Sequence, residues 1–114
     1  MNTINVPIQI SDDQIDSWAV TAFEGGINYW CFSIEVKNND YKGCDYASEA
    51  LSKGATIIMK GKEITKQNIL EALAKLPAMN YNKVYNRLLN EGQYDACDAD
   101  ILFQVALYDE VVYG

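Results

Sequence analysis

Between Ser11 and Val36 the chain changes its hydrophobic period, and a Gly-Gly pair marks the change. Upstream, Ile15, Trp18, Ala19, Ala22 and Phe23 recur at i, i+3, i+4, i+7 and i+8, the spacing of one apolar helix face. The run Ser11-Asp12-Asp13-Gln14 opens that helix as a capping box: Ser11 at N-cap, Gln14 three residues on, and two acids in the first turn where the helix dipole favours anions. Gly25 is expected to take the left-handed C′ conformation, and Gly26 to release the chain. Downstream, "INYWCFSIEVK" reads with a period of about 2, as a strand with Trp30, Phe32, Ile34 and Val36 on the core face. Tyr29, Cys31, Ser33, Glu35 and Lys37 then fall on the opposite face, toward solvent or a partner.

The rest of the chain is punctuated in the same way. "INVPIQI", Ile4 to Ile10, alternates as a strand, placed at a sheet edge by Pro7, which cannot donate a ladder hydrogen bond. "KNNDYKG" is a loop, and Tyr46–Gly54 a short helix with Gly54 at C′. "ATIIMK" is a strand, and Gly61-Lys62 a two-residue turn of type II′ into a return strand at Glu63-Ile64. Thr65 caps a helix with the stripe Ile69, Leu70, Leu73 and Leu76, which stops at Pro77. Another helix carries Val84, Leu88 and Leu89 inward and ends at Gly92. Asp98 is expected to cap a last helix with the stripe Ile101, Leu102, Val105 and Tyr108, and "EVVYG" to close the chain as a short strand. Helices and antiparallel strands mix without a βαβ repeat. The expectation is therefore one α+β domain over 1–114, an antiparallel sheet of about four short strands packed with four or five helices.

Composition narrows the chemistry. The 114 residues include no histidine and one arginine, Arg87, so Ser-His-Asp and Cys-His catalysis and HExxH zinc binding are excluded. The three cysteines, Cys31, Cys44 and Cys97, contain no CxxC pair, which argues for reduced thiols rather than a disulfide framework or a zinc site. Neither GxGxxG nor GxxxxGK[ST] occurs, so no phosphate-cradling loop and no nucleotide cofactor are implied. The formal net charge is −7, which disfavours direct nucleic-acid binding and suits a basic protein partner. No apolar run approaches the roughly 18 residues of a membrane helix, and the N-terminus lacks a signal-peptide pattern, giving a cytoplasmic expectation with no membrane contact.

Three features remain as candidate sites. Asp95, Asp98 and Asp100 could bind a divalent cation through oxygen, although the calcium-loop pattern is missing and helix capping explains them as well. Cys31 could act as a nucleophile only beside a cation or a helix N-terminus, and nothing in the sequence puts one there. The third is an aromatic, acid-rimmed interaction surface drawn from Tyr29, Glu35, Tyr41, Tyr46, Tyr81, Tyr85, Asp109 and Glu110. Tyrosine favours interfaces because it buries a large area with few rotors.

Two segments, Ile10–Cys31 with its "TAFEGGINYWC" core and Asp98–Gly114 ("DADILFQVALYDEVVYG"), resemble a family of small uncharacterised phage and prophage proteins. "YASEALSKGATIIM" follows the same pattern more loosely, whereas Lys60 to Tyr94 departs from it. The resemblance implies a mobile-element origin and carries no site residue with it. By analogy with such accessory genes, the expected function is a non-enzymatic, protein-binding inhibitor of a host defence nuclease, of the anti-CRISPR kind, with a basic nucleic-acid enzyme such as a CRISPR effector as partner. The alternatives are an oligomeric sponge for a signalling nucleotide and a metal-dependent enzyme built on Asp95, Asp98 and Asp100.

Overall fold

The computed structural model describes residues 8–90 and 93–114, and of Asn90 the backbone alone. The order is α1 (Asp12–Thr21), a π-helical turn (Ala22–Gly26), β1 (Ile34–Val36), α2 (Ala47–Ser52), β2 (Ile57–Met59), β3 (Lys62–Ile64), α3 (Lys66–Lys75), α4 (Asn82–Asn90) and α5 (Ala96–Tyr108). Short 3₁₀ turns lie at Lys37–Asn39 and Pro77–Met79. The sheet is antiparallel in the order β1-β2-β3, so this is an α+β fold with three strands among the described residues, where about four were expected of the chain. The expected strand Ile4–Ile10 lies largely outside the described residues, and Ile8–Ile10 form no strand. The expected terminator Gly92 also lies outside them.

The capping signals act where the sequence puts them. Ser11 and Gln14 bond reciprocally, as do Thr65 and Asn68. Each pair satisfies two of the donors that a helix start leaves open. The α5 box is shifted from expectation: Asp95 is the N-cap and Asp98 its N3 partner. The Asx at −3 serves as well as the one at 98, and the chain uses both.

α5 is the central element. It packs against α3, α4, α1, the π turn and β3, and Ala99, Leu102, Phe103, Gln104 and Val105 are all buried. A helix enclosed on most sides needs apolar residues beyond one stripe, which is why Phe103 joins the expected Leu102 and Val105. Ile15, Trp18, Ile57, Met59, Ile64, Ile69, Leu76 and Leu88 complete one continuous core.

The Gly-Gly region departs most from the expected pattern. Gly25 does not adopt the left-handed conformation; the helical path runs on through the π turn to Gly26, with Ile27 N–H donating to Ala22 O at 3.1 Å. A further turn follows, in which Trp30 and Cys31 both donate to Ile27 O, at 3.0 and 2.8 Å. Period-2 counting therefore fails before Ile34. Trp30 and Cys31 are both buried, while Phe32, assigned to the core face, is 89% exposed. The glycine at 26 answers to packing. A Cβ there would sit 2.6 Å from Ala96 O at the start of α5, so only glycine lets the π turn approach that backbone.

The hairpin is also displaced by one residue. Met59 pairs with Lys62, leaving Lys60-Gly61 as the loop. Both have positive φ, 51° and 76°, a type I′ rather than a type II′ turn, whose twist matches that of the flanking strands. The expected C-terminal strand is absent among the described residues; 111–114 is held instead by a side chain of α5, as described below. Gly54 has φ +105°, as its C′ role requires. No helix among the described residues is long and apolar enough to cross a membrane.

The two glycines make opposite predictions. Gly26→Ala forces the π turn away from α5 and costs about 2 kcal/mol by overpacking. Gly25→Ala, with nothing within 4 Å of the new Cβ, is neutral or stabilises by about 0.5 kcal/mol through the unfolded state. Urea unfolding of the two variants checks the contrast.

Candidate functional site

Two regions gather chemistry-bearing side chains. The first is a polar network between α5, the turn before β1 and the C-terminal tail. The Asp100 side chain on α5 is nine-tenths buried, with the residue 7% exposed. Its Oδ1 accepts from Trp30 Nε1 at 2.7 Å and from Gln104 Nε2 at 2.9 Å, and its Oδ2 from the Tyr29 hydroxyl at 2.5 Å. Gln104, fully buried, accepts at Oε1 from the backbone N–H groups of Val112 and Tyr113, both at 2.7 Å. Its Nε2 donates in turn to Tyr113 O at 3.0 Å. One amide thus replaces the strand partner that the tail lacks.

Aromatic contacts reinforce this. Tyr113 stacks on Trp30 with ring centroids 5.1 Å apart and planes 6° from parallel, and Tyr108 meets both. Lys60 and Lys62, from the hairpin, lie over the Tyr113 and Tyr108 rings at 5.4 Å, within cation–π range. Desolvation and the neighbouring Asp100 carboxylate push the Tyr29 hydroxyl up to about 12, so it remains a donor at neutral pH.

The three acids expected to hold a cation do not converge. Asp100 is engaged as above. Asp98 receives both Arg87 Nε and Nη2 at 2.7 Å, a bidentate pair, while Asp95 caps the helix. Among the described residues no group of three His, Cys, Asp or Glu is arranged to hold a metal ion. Burial raises the Asp98 carboxyl, but the Arg87 guanidinium and the Asp95 backbone donor outweigh it and hold the group below its usual range. Cys31 is buried, and desolvation pushes its thiol up, the environment of an inert cysteine rather than a nucleophile.

The second region is a groove of about 420 Å³ between α1, the π turn, β1 and the start of α2. Its floor is apolar: Val20, Phe23, Ile34 and Ala47. Its rim carries Asp16, Glu24 and Glu49, with Tyr46 beside them, and no Lys or Arg lines it. Asp16 and Val20 stand one helical turn apart on α1 and so share a face. The π turn carries the same edge on to Phe23 and Glu24. Tyr46 is 71% exposed at the N-terminal boundary of α2, where its side chain makes no cap bond. Oδ1 of Asp16 is closed off from solvent without a hydrogen-bond partner among the described residues, an unusual state for a buried acceptor.

The eight residues expected to form one interaction surface are dispersed. Tyr46 lines the groove. Tyr29, half exposed, belongs to the tail network. Tyr41, Tyr81 and Tyr85 pack partly against the core, with Tyr85 lining an apolar cleft beside Leu70, Leu73 and Leu89. Glu35 is exposed on β1, Asp109 ends α5 in the left-handed conformation with Lys75 Nζ at 2.7 Å, and Glu110 is exposed beyond it. Asp16, Glu24 and Glu49 were not among the expected residues. The first two were readable as the polar border of the α1 face, eight residues apart; Glu49 had no sequence signal.

Gln104→Ala leaves two tail N–H groups without their acceptor and should cost about 3 kcal/mol, read by urea unfolding together with loss of the near-UV signal of the Trp30–Tyr113 stack. Arg87→Met should destabilise the fold at neutral pH by leaving the buried Asp98 carboxylate without its charged partner, the loss moderated because the Arg87 side chain is 43% exposed. The Asp98 carboxyl lies below its unfolded value of 3.8 in the folded state, so the pair's contribution is complete above that pH and is lost as pH falls through the folded value. The difference between wild type and Arg87→Met should therefore narrow below pH 3.8, which denaturant melts across pH measure.

Comparisons of the chain with models of protein families, with curated proteins and with solved structures each return no match.

Proposed function

We propose that this chain is a binding protein rather than an enzyme: an accessory factor of a mobile element that inhibits a basic host partner, a defence nuclease of the CRISPR-effector kind, by occupying its cationic surface. The observation that supports the reading is the groove, an apolar floor with three carboxylates and a tyrosine around it and no cation in its lining. Apolar area supplies affinity, and a one-sign rim supplies selection against acidic partners and faster encounter with basic ones. The net charge of −7 extends the same bias over the whole surface. Enzymes that act on nucleic acid line their clefts with Lys and Arg to neutralise phosphate, so they are the basic partners this exterior fits best. The mobile-element origin is supported by the resemblance carried by Ile10–Cys31 and Asp98–Gly114.

Affinity capture from lysate of the source organism tests the proposal. At about 50 mM salt, immobilised protein should retain a basic partner stoichiometrically, and retention should fall steeply by about 500 mM as the Debye length shortens. The triple variant Asp16→Asn, Glu24→Gln, Glu49→Gln should lose most of the capture while keeping its melting temperature, and the purified partner's nuclease activity should fall in proportion to bound inhibitor. Capture of nothing at low salt, or capture unchanged by the triple variant, would overturn it.

A further inference from the structure

We infer that the groove takes an arginine side chain presented by an extended segment of the partner protein. This rests on the reading of the groove as a binding surface and names what enters it. Arginine has an apolar stem and a planar, forked head, and the groove has a counterpart for each. Val20, Phe23, Ile34 and Ala47 offer the stem an apolar bed, where a long cationic side chain lies down while its head stays polar. The exposed Tyr46 ring stands at the rim, suited to stacking on a guanidinium plane. Asp16, Glu24 and Glu49 then face the fork.

Asp16 separates this site from a merely acidic surface. Its Oδ1 has neither solvent nor a hydrogen-bond donor among the described residues. A carboxylate with one oxygen shielded from water is poorly solvated, and it gains from an arriving charged donor on the other. The other oxygen of Asp16, Oδ2, is not shut off in this way, and Asp16 lines the groove, so the carboxylate meets the arriving donor through Oδ2. A guanidinium brings five donors in a planar fork and sheds its weak hydration easily; an ammonium brings a compact, strongly hydrated charge with three donors, which loses more on leaving water and spans separated carboxylates less well. Arginine is therefore selected over lysine.

Two features assign the arginine to a polypeptide rather than to free arginine or a polyamine. The groove volume of about 420 Å³ exceeds one side chain, so neighbouring residues of the segment enter with it. Phe32, 89% exposed, lies two residues before Ile34 of the groove floor. It is assigned as the apolar contact outside the groove for the residue next to the arginine, a contact that a free amino acid would not make.

Amide-resolved NMR titration of the full chain with synthetic nine-residue peptides tests the assignment. The host peptide is Gly/Ser with a central Arg-Leu; its counterparts carry Lys-Leu, citrulline-Leu or Arg-Gly, and free L-arginine and spermidine are titrated alongside. The Arg-Leu peptide should shift the amides of Val20, Phe23, Ile34 and Ala47. The Lys-Leu peptide should bind about tenfold more weakly, as should Arg-Leu to the Asp16→Asn protein, whose unperturbed spectrum serves as the fold control. Citrulline should abolish binding, and Arg-Gly and free L-arginine should bind more weakly than Arg-Leu. Equal binding of the Arg and citrulline peptides, shifts that map away from the groove, no binding by Arg-Leu, or free L-arginine or spermidine as tight as the peptide would each overturn the inference. Equal binding of the Arg and Lys peptides would overturn it while leaving the basic-partner reading intact, whereas partner capture unaffected by loss of the rim acids would remove both.

Discussion

A carboxylate shut inside a protein must be surrounded by donors, and Asp100 organises its neighbourhood on that condition. The indole N–H of Trp30, the hydroxyl of Tyr29 and the amide of Gln104 all end on it. Among the described residues no cation pairs with it. Meeting the carboxylate with three neutral donors fixes the turn before β1, because Tyr29 and Trp30 must both point toward α5 although they are adjacent in sequence. An extended strand cannot do this, since neighbouring side chains alternate across it. The coiled path from Ala22 to Cys31 is the backbone's answer, and the position of β1 follows from where that path ends.

The second constraint is steric. Gly26 lets the π turn touch the backbone of α5, and this contact brings Trp30 within reach of Asp100. The extra residue of a π turn also shifts the side chains that follow it relative to α1. Phe23 and Glu24 themselves still follow Asp16 at i+7 and i+8, so the groove edge runs on from α1 into the turn before the shift takes effect.

Much of this was legible in the residues. Ser11/Gln14 and Thr65 announced their helices, Pro77 and Gly54 their ends, and the leucine spacing of α3 its buried face, because each signal acts through backbone geometry within one turn of itself. The failures share a different cause. Phe32 was put inside and Cys31 outside by alternation, which holds only once a ladder has formed, and the ladder begins at Ile34. Gly25-Gly26 was read as a helix stop because a glycine needed for close approach looks the same in sequence as one needed for positive φ. Asp98 and Asp100 looked like a cation site because their partners, Arg87 and the Trp30–Gln104 set, come from elsewhere in the chain. The groove was half visible along α1; its other wall, Ile34 and α2, depends on tertiary packing that no local pattern encodes.

Phe23 has neighbours of two kinds. One side of the side chain helps floor the groove, while its ring meets Phe103 edge-on at 5.4 Å in the centre of the molecule. Whatever settles on that floor leans on the most enclosed helix of the protein rather than on a loop. Occupancy and folding then draw on the same contacts, so a tight-fitting guest also acts as a brace for the whole fold.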